Sequence, residues 1–411
     1  MDLSRLINDN GVYLYQDDNF NTINIQLSFN GKVGNREDAV NYVLCKYMMQ
    51  SNEIYPSINQ KMKELYAMDL YFFPQKIGKT SSIIVSADLV SPSIVEDDYL
   101  ANAFDFIKNI ILHPKFTDAN LLETIKRSYI SSLAHKLSNS NNKAKRLFLD
   151  NVFDDENNKY GCSIDLEYIS SIINSITLDD IKEAYKNSIN EQTFYRGMVF
   201  GNISKEQFDL FRKYIPYKNN GDVLDYASKC KIVEDDSEVL DHDANESILY
   251  VTYETDKIDE GLSKVLSSIF NGGNGLCHQI LREKYGLVYS SYISIYCYKK
   301  AFVFTTKIDK NNKQKAMEAI KEIISIAQDK NKLIELLKFA KEYIKNEDYL
   351  LSEKKDYILD YLDDYIRGIP DNFNYNDFIK NIDSYTEEEI AQHMGTLKLK
   401  NVFMYKGDKN A

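Results

Sequence analysis

The stretch Asn271-Gly-Gly-Asn-Gly-Leu-Cys-His-Gln-Ile-Leu-Arg-Glu-Lys-Tyr-Gly-Leu-Val-Tyr-Ser-Ser291 holds the residues most suited to chemistry. Gly272, Gly273 and Asn274 lie in a turn whose backbone can approach another chain closely, a candidate substrate contact. Leu276, Ile280 and Leu281 can share a helix face, with Arg282 near the helix end before a stop at Gly286. Tyr289 falls on the strand that follows. A fixed guanidinium and a phenol brought together across this turn would offer two donors able to anchor or polarise a peptide carbonyl.

Other chemistries lack their residues. The histidines are His113, His135, His242, His278 and His393, none within a helical turn of another, so no His-x-x-x-His pair can present two metal ligands on one face. There is no Gly-x-Ser-x-Gly elbow, phosphate loop or dinucleotide fingerprint. Cys277 and His278 are adjacent, but neighbours on a helix point about 100° apart and do not form a nucleophile–base pair.

The elements that must position Arg282 and Tyr289 are legible from periodicity. Alternation in GVYLYQ and NTINIQLSF predicts two opening strands, followed by a helix over 36–50 and another after Pro56. A hairpin spans DLYFFPQKIGKTSSIIVSADLV, residues 98–215 are mostly helical, and the strand TFYRGMVFGNI closes this half. The same order then returns: a strand at SILYVTYE, helices over 258–285, a hairpin through GLVYSSYISIYCYKKAFVFTTKI, a long helical region and a last strand, NVFMYKG. Corresponding elements lie about 200 to 225 residues apart, as in a duplicated unit. The expected class is α+β, two similar domains, each an antiparallel or mixed sheet with helices packed on one face. We place the domains at 1–218 and 247–411, with the Lys/Asn/Gly-rich and then acidic run 219–246 as linker.

With 411 residues, 44% hydrophobic content and a net charge of −12, the chain can bury more than one core. Its acidity argues against general affinity for nucleic acid or anionic membranes. No apolar run is long enough to span a bilayer and no leader-like N-terminus is visible. Five dispersed cysteines suit a reducing compartment, so a cytoplasmic protein is expected.

The segment LREKYGLVYS after a Gly-rich turn resembles the second domain of the insulinase/pitrilysin peptidases. There, an Arg and a Tyr spaced like Arg282 and Tyr289 help bind substrate and stabilise the transition state at a zinc site in the other half of the enzyme. The opening strands, the NGKVGNRED turn and the helix ending before NEIYPS resemble the family's first domain. Catalytic members carry His-x-x-Glu-His on that helix. Aligned on NEIYP, Tyr42 and Lys46 replace the two histidines and Cys45 the general base, while LLETIKRSYISSLAH offers Ser131 or Ser132 where a further Glu ligand is expected. The resemblance thus implies a non-catalytic member with no metal of its own. Its partner would be a His-x-x-Glu-His relative that supplies zinc, its substrate a peptide or unfolded polypeptide, and without that partner a homodimer is allowed. A peptide-binding or complex-assembling scaffold is the alternative.

Overall fold

The computed structural model describes residues 3–408, apart from 52, 78–79, 96, 156–157, 220–229, 243, 245, 257, 272–273, 352–353 and 368–373, and apart from the side chains of 288–289 and 348–351. Its contacts gather into two units. One comprises residues 2–135 and 157–226, the other 136–156 and 227–411.

In the first unit β1 (Ile7–Asp9), β2 (Val12–Gln16), β3 (Thr22–Gly31), β4 (Asp69–Ile77), β5 (Thr80–Val90) and β6 (Phe194–Gly201) form a sheet in the order β1-β2-β6-β3-β5-β4. The two opening strands are not neighbours. β6 lies between them, parallel to β2 and antiparallel to β3. Its residues are buried on both faces, which only a central strand provides. The Asn35–Gln50 helix packs its Ala39, Val43, Leu44 and Tyr47 face into a core shared with Leu27, Phe29, Phe72 and Val85. Glu37 and Asp38 in its first turn complement the helix dipole.

In the second unit β7 (Asp235–Asp241), β8 (Ser247–Glu254), β9 (Val288–Tyr296), β10 (Ala301–Ile308) and β11 (Lys398–Gly407) take the order β9-β10-β8-β11-β7. Every pairing has its counterpart in the first unit. β7 runs parallel to β11 as β2 does to β6, and β8 is antiparallel to β11 and β10 as β3 is to β6 and β5. Both units are therefore mixed sheets packed against helices, built on one topology.

β7 falls inside the stretch expected to be a linker. A strand can hold so many acids because it is an edge, where charge is tolerated and discourages further pairing. Lysines also answer them: Lys313 meets Asp236 and Glu238 at 2.6 and 3.1 Å, and Lys406 meets Glu238 at 3.6 Å.

The sheet of the second unit is covered on both faces. Its main core holds Leu249, Val251, Val402 and Met404, with helices Glu260–Asn271, Lys313–Ala327 and Lys330–Leu351. On the opposite face Phe148, from the Ser140–Val152 helix, stacks on Tyr250 at a centroid distance of 4.2 Å and 11° between planes, and tilts against Phe403. Lys143 of the same helix pairs with Asp241 at the end of β7, at 2.6 Å.

Candidate functional site

The Glu260–Asn271 helix precedes the Gly-rich segment, and its last residue fastens the helix to the sheet. The Asn271 amide accepts a hydrogen bond from the Ile293 N–H (2.7 Å) and donates to the Ile293 carbonyl (3.1 Å), pairing with edge strand β9 as a neighbouring strand would. Gly272 and Gly273 lie outside the described residues. Asn274 is exposed, and its carbonyl accepts a 2.6 Å hydrogen bond from the Gln279 side chain.

From His278 to Lys284 the backbone is a π-helix. The Tyr285 N–H reaches back to the Ile280 carbonyl, and the end is closed by Gly286 N–H to Arg282 C=O and Leu287 N–H to Leu281 C=O, each 3.0 Å. This closure turns the chain through Gly286 at φ +62°, a conformation that glycine adopts without Cβ strain. Leu276, Cys277, Ile280 and Leu281 are buried, and Arg282 faces solvent.

Arg282 differs from the charged residues beside it. Lys284 bonds Glu322 at 2.6 Å, Tyr285 donates to the same carboxylate at 3.0 Å, and His278 lies 3.5 Å from Glu283. The Lys284–Glu322 hydrogen bond raises the lysine pKa and lowers that of the carboxylate, as expected of a mutually stabilising pair. Among the described residues the Arg282 guanidinium has neither a hydrogen bond nor an ion pair.

Cys277 is buried. Burial pushes its thiol up to about 12, which leaves negligible thiolate near neutral pH.

The Tyr289 backbone lies on β9, where the register against β10 slips between Val288 and Ser291. Such a bulge redirects the side chains around it. The Tyr289 side chain itself lies outside the described residues, so the structure shows no Arg282–Tyr289 contact.

In the first unit the positions expected from the resemblance to replace the metal motif pack on one another and on aromatic rings. Tyr42 stacks on Tyr129 with centroids 3.8 Å apart, Tyr160 donates to the Tyr129 hydroxyl at 2.7 Å, and Lys46 Nζ lies 5.6 Å from the centre of the Tyr42 ring. Cys45 points into the core at 1% exposure, and burial drives its thiol pKa up. The Ala119–Ser138 helix turns Tyr129 toward Tyr42, while Ser131 and Ser132 are exposed. Tyr129 and Tyr160 were not singled out from sequence. The only available signal was that Tyr129 precedes the expected position by less than one helical turn.

Zinc does not fit here. It requires imidazole, thiolate or carboxylate donors, and this site offers a phenol, a protonated core thiol and an ammonium. Among the described residues no three His, Cys, Asp or Glu side chains gather to hold a metal.

Residues 175–340 match the family model of the peptidase M16 inactive domain. No curated protein sequence matches the chain. Among solved structures, a conserved protein from Enterococcus faecalis V583 superimposes with a TM-score of 0.78 at 17% identity, covering 98% of each chain. The peptidase M16 inactive domain from Pseudomonas fluorescens gives 0.71 at 15% identity, over 97% of this chain and 96% of the other. The periplasmic protease PqqL from Escherichia coli gives 0.69 at 12% identity, and there 97% of this chain covers only 44% of the protease. Over its whole length the chain thus has the fold of these M16-type structures, and over residues 175–340 it is similar to the peptidase M16 inactive domain.

Proposed function

We propose that this chain is the non-catalytic half of a two-part zinc metallopeptidase and presents Arg282 and Tyr289 in trans to peptide bound at a catalytic partner. The observation that carries the reading is a contrast: Tyr42, Cys45 and Lys46 offer no imidazole, thiolate or carboxylate to a metal, whereas Arg282 is exposed and, among the described residues, unpaired beside neighbours that are paired. A guanidinium on a short helical segment, without a partner among the described residues, is available to a substrate carbonyl or carboxylate. That PqqL is more than twice as long as the region matched here supports division of such an enzyme into halves.

In this reading the zinc belongs to a His-x-x-Glu-His relative, the substrate is a peptide or unfolded polypeptide, Gly272, Gly273 and Asn274 line its path, and the complex works in the cytoplasm. Among the described residues no helix is long and apolar enough to cross a membrane. The test is a tagged pull-down from native cells, with zinc and peptide cleavage assayed on the eluate and on the chain alone. Zinc and activity in the complex only are expected; zinc with activity in the isolated chain would overturn the reading.

A peptide-holding scaffold is the second reading, favoured by the complete filling of the metal position. A co-purifying complex without zinc or cleavage would establish it.

A further inference from the structure

Beside the Gly-rich turn a cavity of about 740 Å³ opens between the Glu260–Asn271 and Lys330–Leu351 helices. Its walls include Ile269, Leu276, Leu336 and Ala340, and its mouth is formed by Phe339 and Tyr343, which are 57% and 50% exposed. Aromatic rings one helical turn apart and half in water are costly to leave uncovered, and an apolar hollow of this size with a few polar groups is what small-ligand sites look like.

Two further observations point to the occupant. Asn274 and Gln279, joined by their 2.6 Å hydrogen bond, form part of the same wall, so the cavity is continuous with the turn that leads to Arg282. A second cavity, about 350 Å³, adjoins the first and shares Ser268 and Tyr343 with it. It is lined by Tyr357, Tyr375, Lys264 and Glu347. Linked hollows along a helix pair suit an extended chain with side chains at intervals better than a compact metabolite. At the rim Lys332 lies 3.8 Å from Asp329, whereas Glu335 has no partner among the described residues. The unbalanced charge at the mouth is therefore negative.

We propose that this cavity is a specificity subsite that takes a bulky apolar side chain of an extended peptide, with a basic group next to it favoured by Glu335. The proposal rests on the reading above in taking peptide as the ligand, but it needs neither Arg282 nor zinc.

The sequence contains no Trp, so a peptide can carry the only indole in the sample. The probe is an acetylated Gly/Ser nonapeptide with Trp at its centre and Lys beside it, titrated into the full chain and followed by indole emission and anisotropy. A blue shift with saturable binding is expected. Phe339→Ser and Tyr343→Ser, at exposed positions where folding is little affected, should each weaken binding about tenfold or more. Tyr71→Ser, at an exposed aromatic on β4 of the other unit, should leave it unchanged. Glu335→Gln should weaken the Lys-bearing peptide and not a Ser-bearing one.

No saturable binding, or equal weakening by Tyr71→Ser, would overturn the subsite. If Arg282→Ala abolishes cleavage by the complex while the probe fails to bind, the trans reading stands and the subsite falls. If the probe binds through Phe339 while Arg282→Ala leaves cleavage intact, the subsite stands and the trans reading falls.

Discussion

Tyr42 and Tyr129 face each other with ring centroids 3.8 Å apart and planes 18° from parallel, one from each of two helices of the first unit. A packed aromatic pair thus occupies the position where the resemblance to the insulinase/pitrilysin peptidases implies a metal-ligand histidine.

Restoring His, Glu and His at positions 42, 45 and 46 should therefore not be enough to hold zinc. The triple variant Tyr42→His, Cys45→Glu, Lys46→His still meets a phenol from the facing helix, and a zinc site needs three protein donors. Adding Tyr129→Glu should bring stoichiometric zinc, read by elemental analysis after dialysis. Stoichiometric zinc in the unaltered chain would contradict this account.

Arg282→Ala should lower kcat/KM of the active complex by about a hundredfold, the scale for losing one preorganised donor to developing charge. Its thermal midpoint should not move, because no described residue is paired with the side chain. Arg282→Lys should recover only part of the rate, since an ammonium lacks the planar fork. An unchanged rate in both variants, together with Tyr289→Phe, would remove the pair from the mechanism.

Much of this arrangement could be read in the sequence, for reasons that differ by residue. The short runs SILYVTYE and NVFMYKG, rich in β-branched and aromatic residues, marked β8 and β11, which are buried on both faces over most of their length. The position of Arg282 before a Gly286 stop was legible because glycine is needed where φ turns positive. β7 was not, since its acids resemble those of a solvated connection until the lysines beside it are known. The stacking of Tyr129 on Tyr42 was also hidden. Helical phase over many residues depends on where the helix begins, and the expected register pointed to Ser131 or Ser132.

Phe148→Ala should destabilise the second unit by about 3 to 5 kcal/mol, the usual cost of removing a buried Phe. Urea unfolding should show the loss in the transition that exposes Tyr250. A change below about 1 kcal/mol would mean that the back-face helix contributes little.

Acid sensitivity should trace partly to Asp180. The Arg36 guanidinium at 2.9 Å, aided by Thr177, holds its carboxyl at about 2 against an ordinary 3.8. A folded-state value below the unfolded one means the ionised group stabilises the fold above pH 3.8, and that contribution is lost as pH falls from 3.8 toward 2. Because Arg36 is almost half exposed, Asp180→Asn should cost only about 1 kcal/mol near neutrality. The gap to the parent should close between pH 4 and 2 in denaturant titrations, and a gap that persists would assign the effect to the helix cap alone.

The excursion of residues 136–156 into the second unit constrains how this protein can be divided. A gene split near residue 227 would hand Phe148 and Lys143 to the wrong product. The downstream fragment would then present the Tyr250 and Phe403 rings to water and leave Asp241 without its lysine, inviting self-association. A downstream fragment obtained that way should become well behaved only when the missing helix is supplied as a separate peptide. Fragment complementation, not domain excision, is the natural way to take this chain apart.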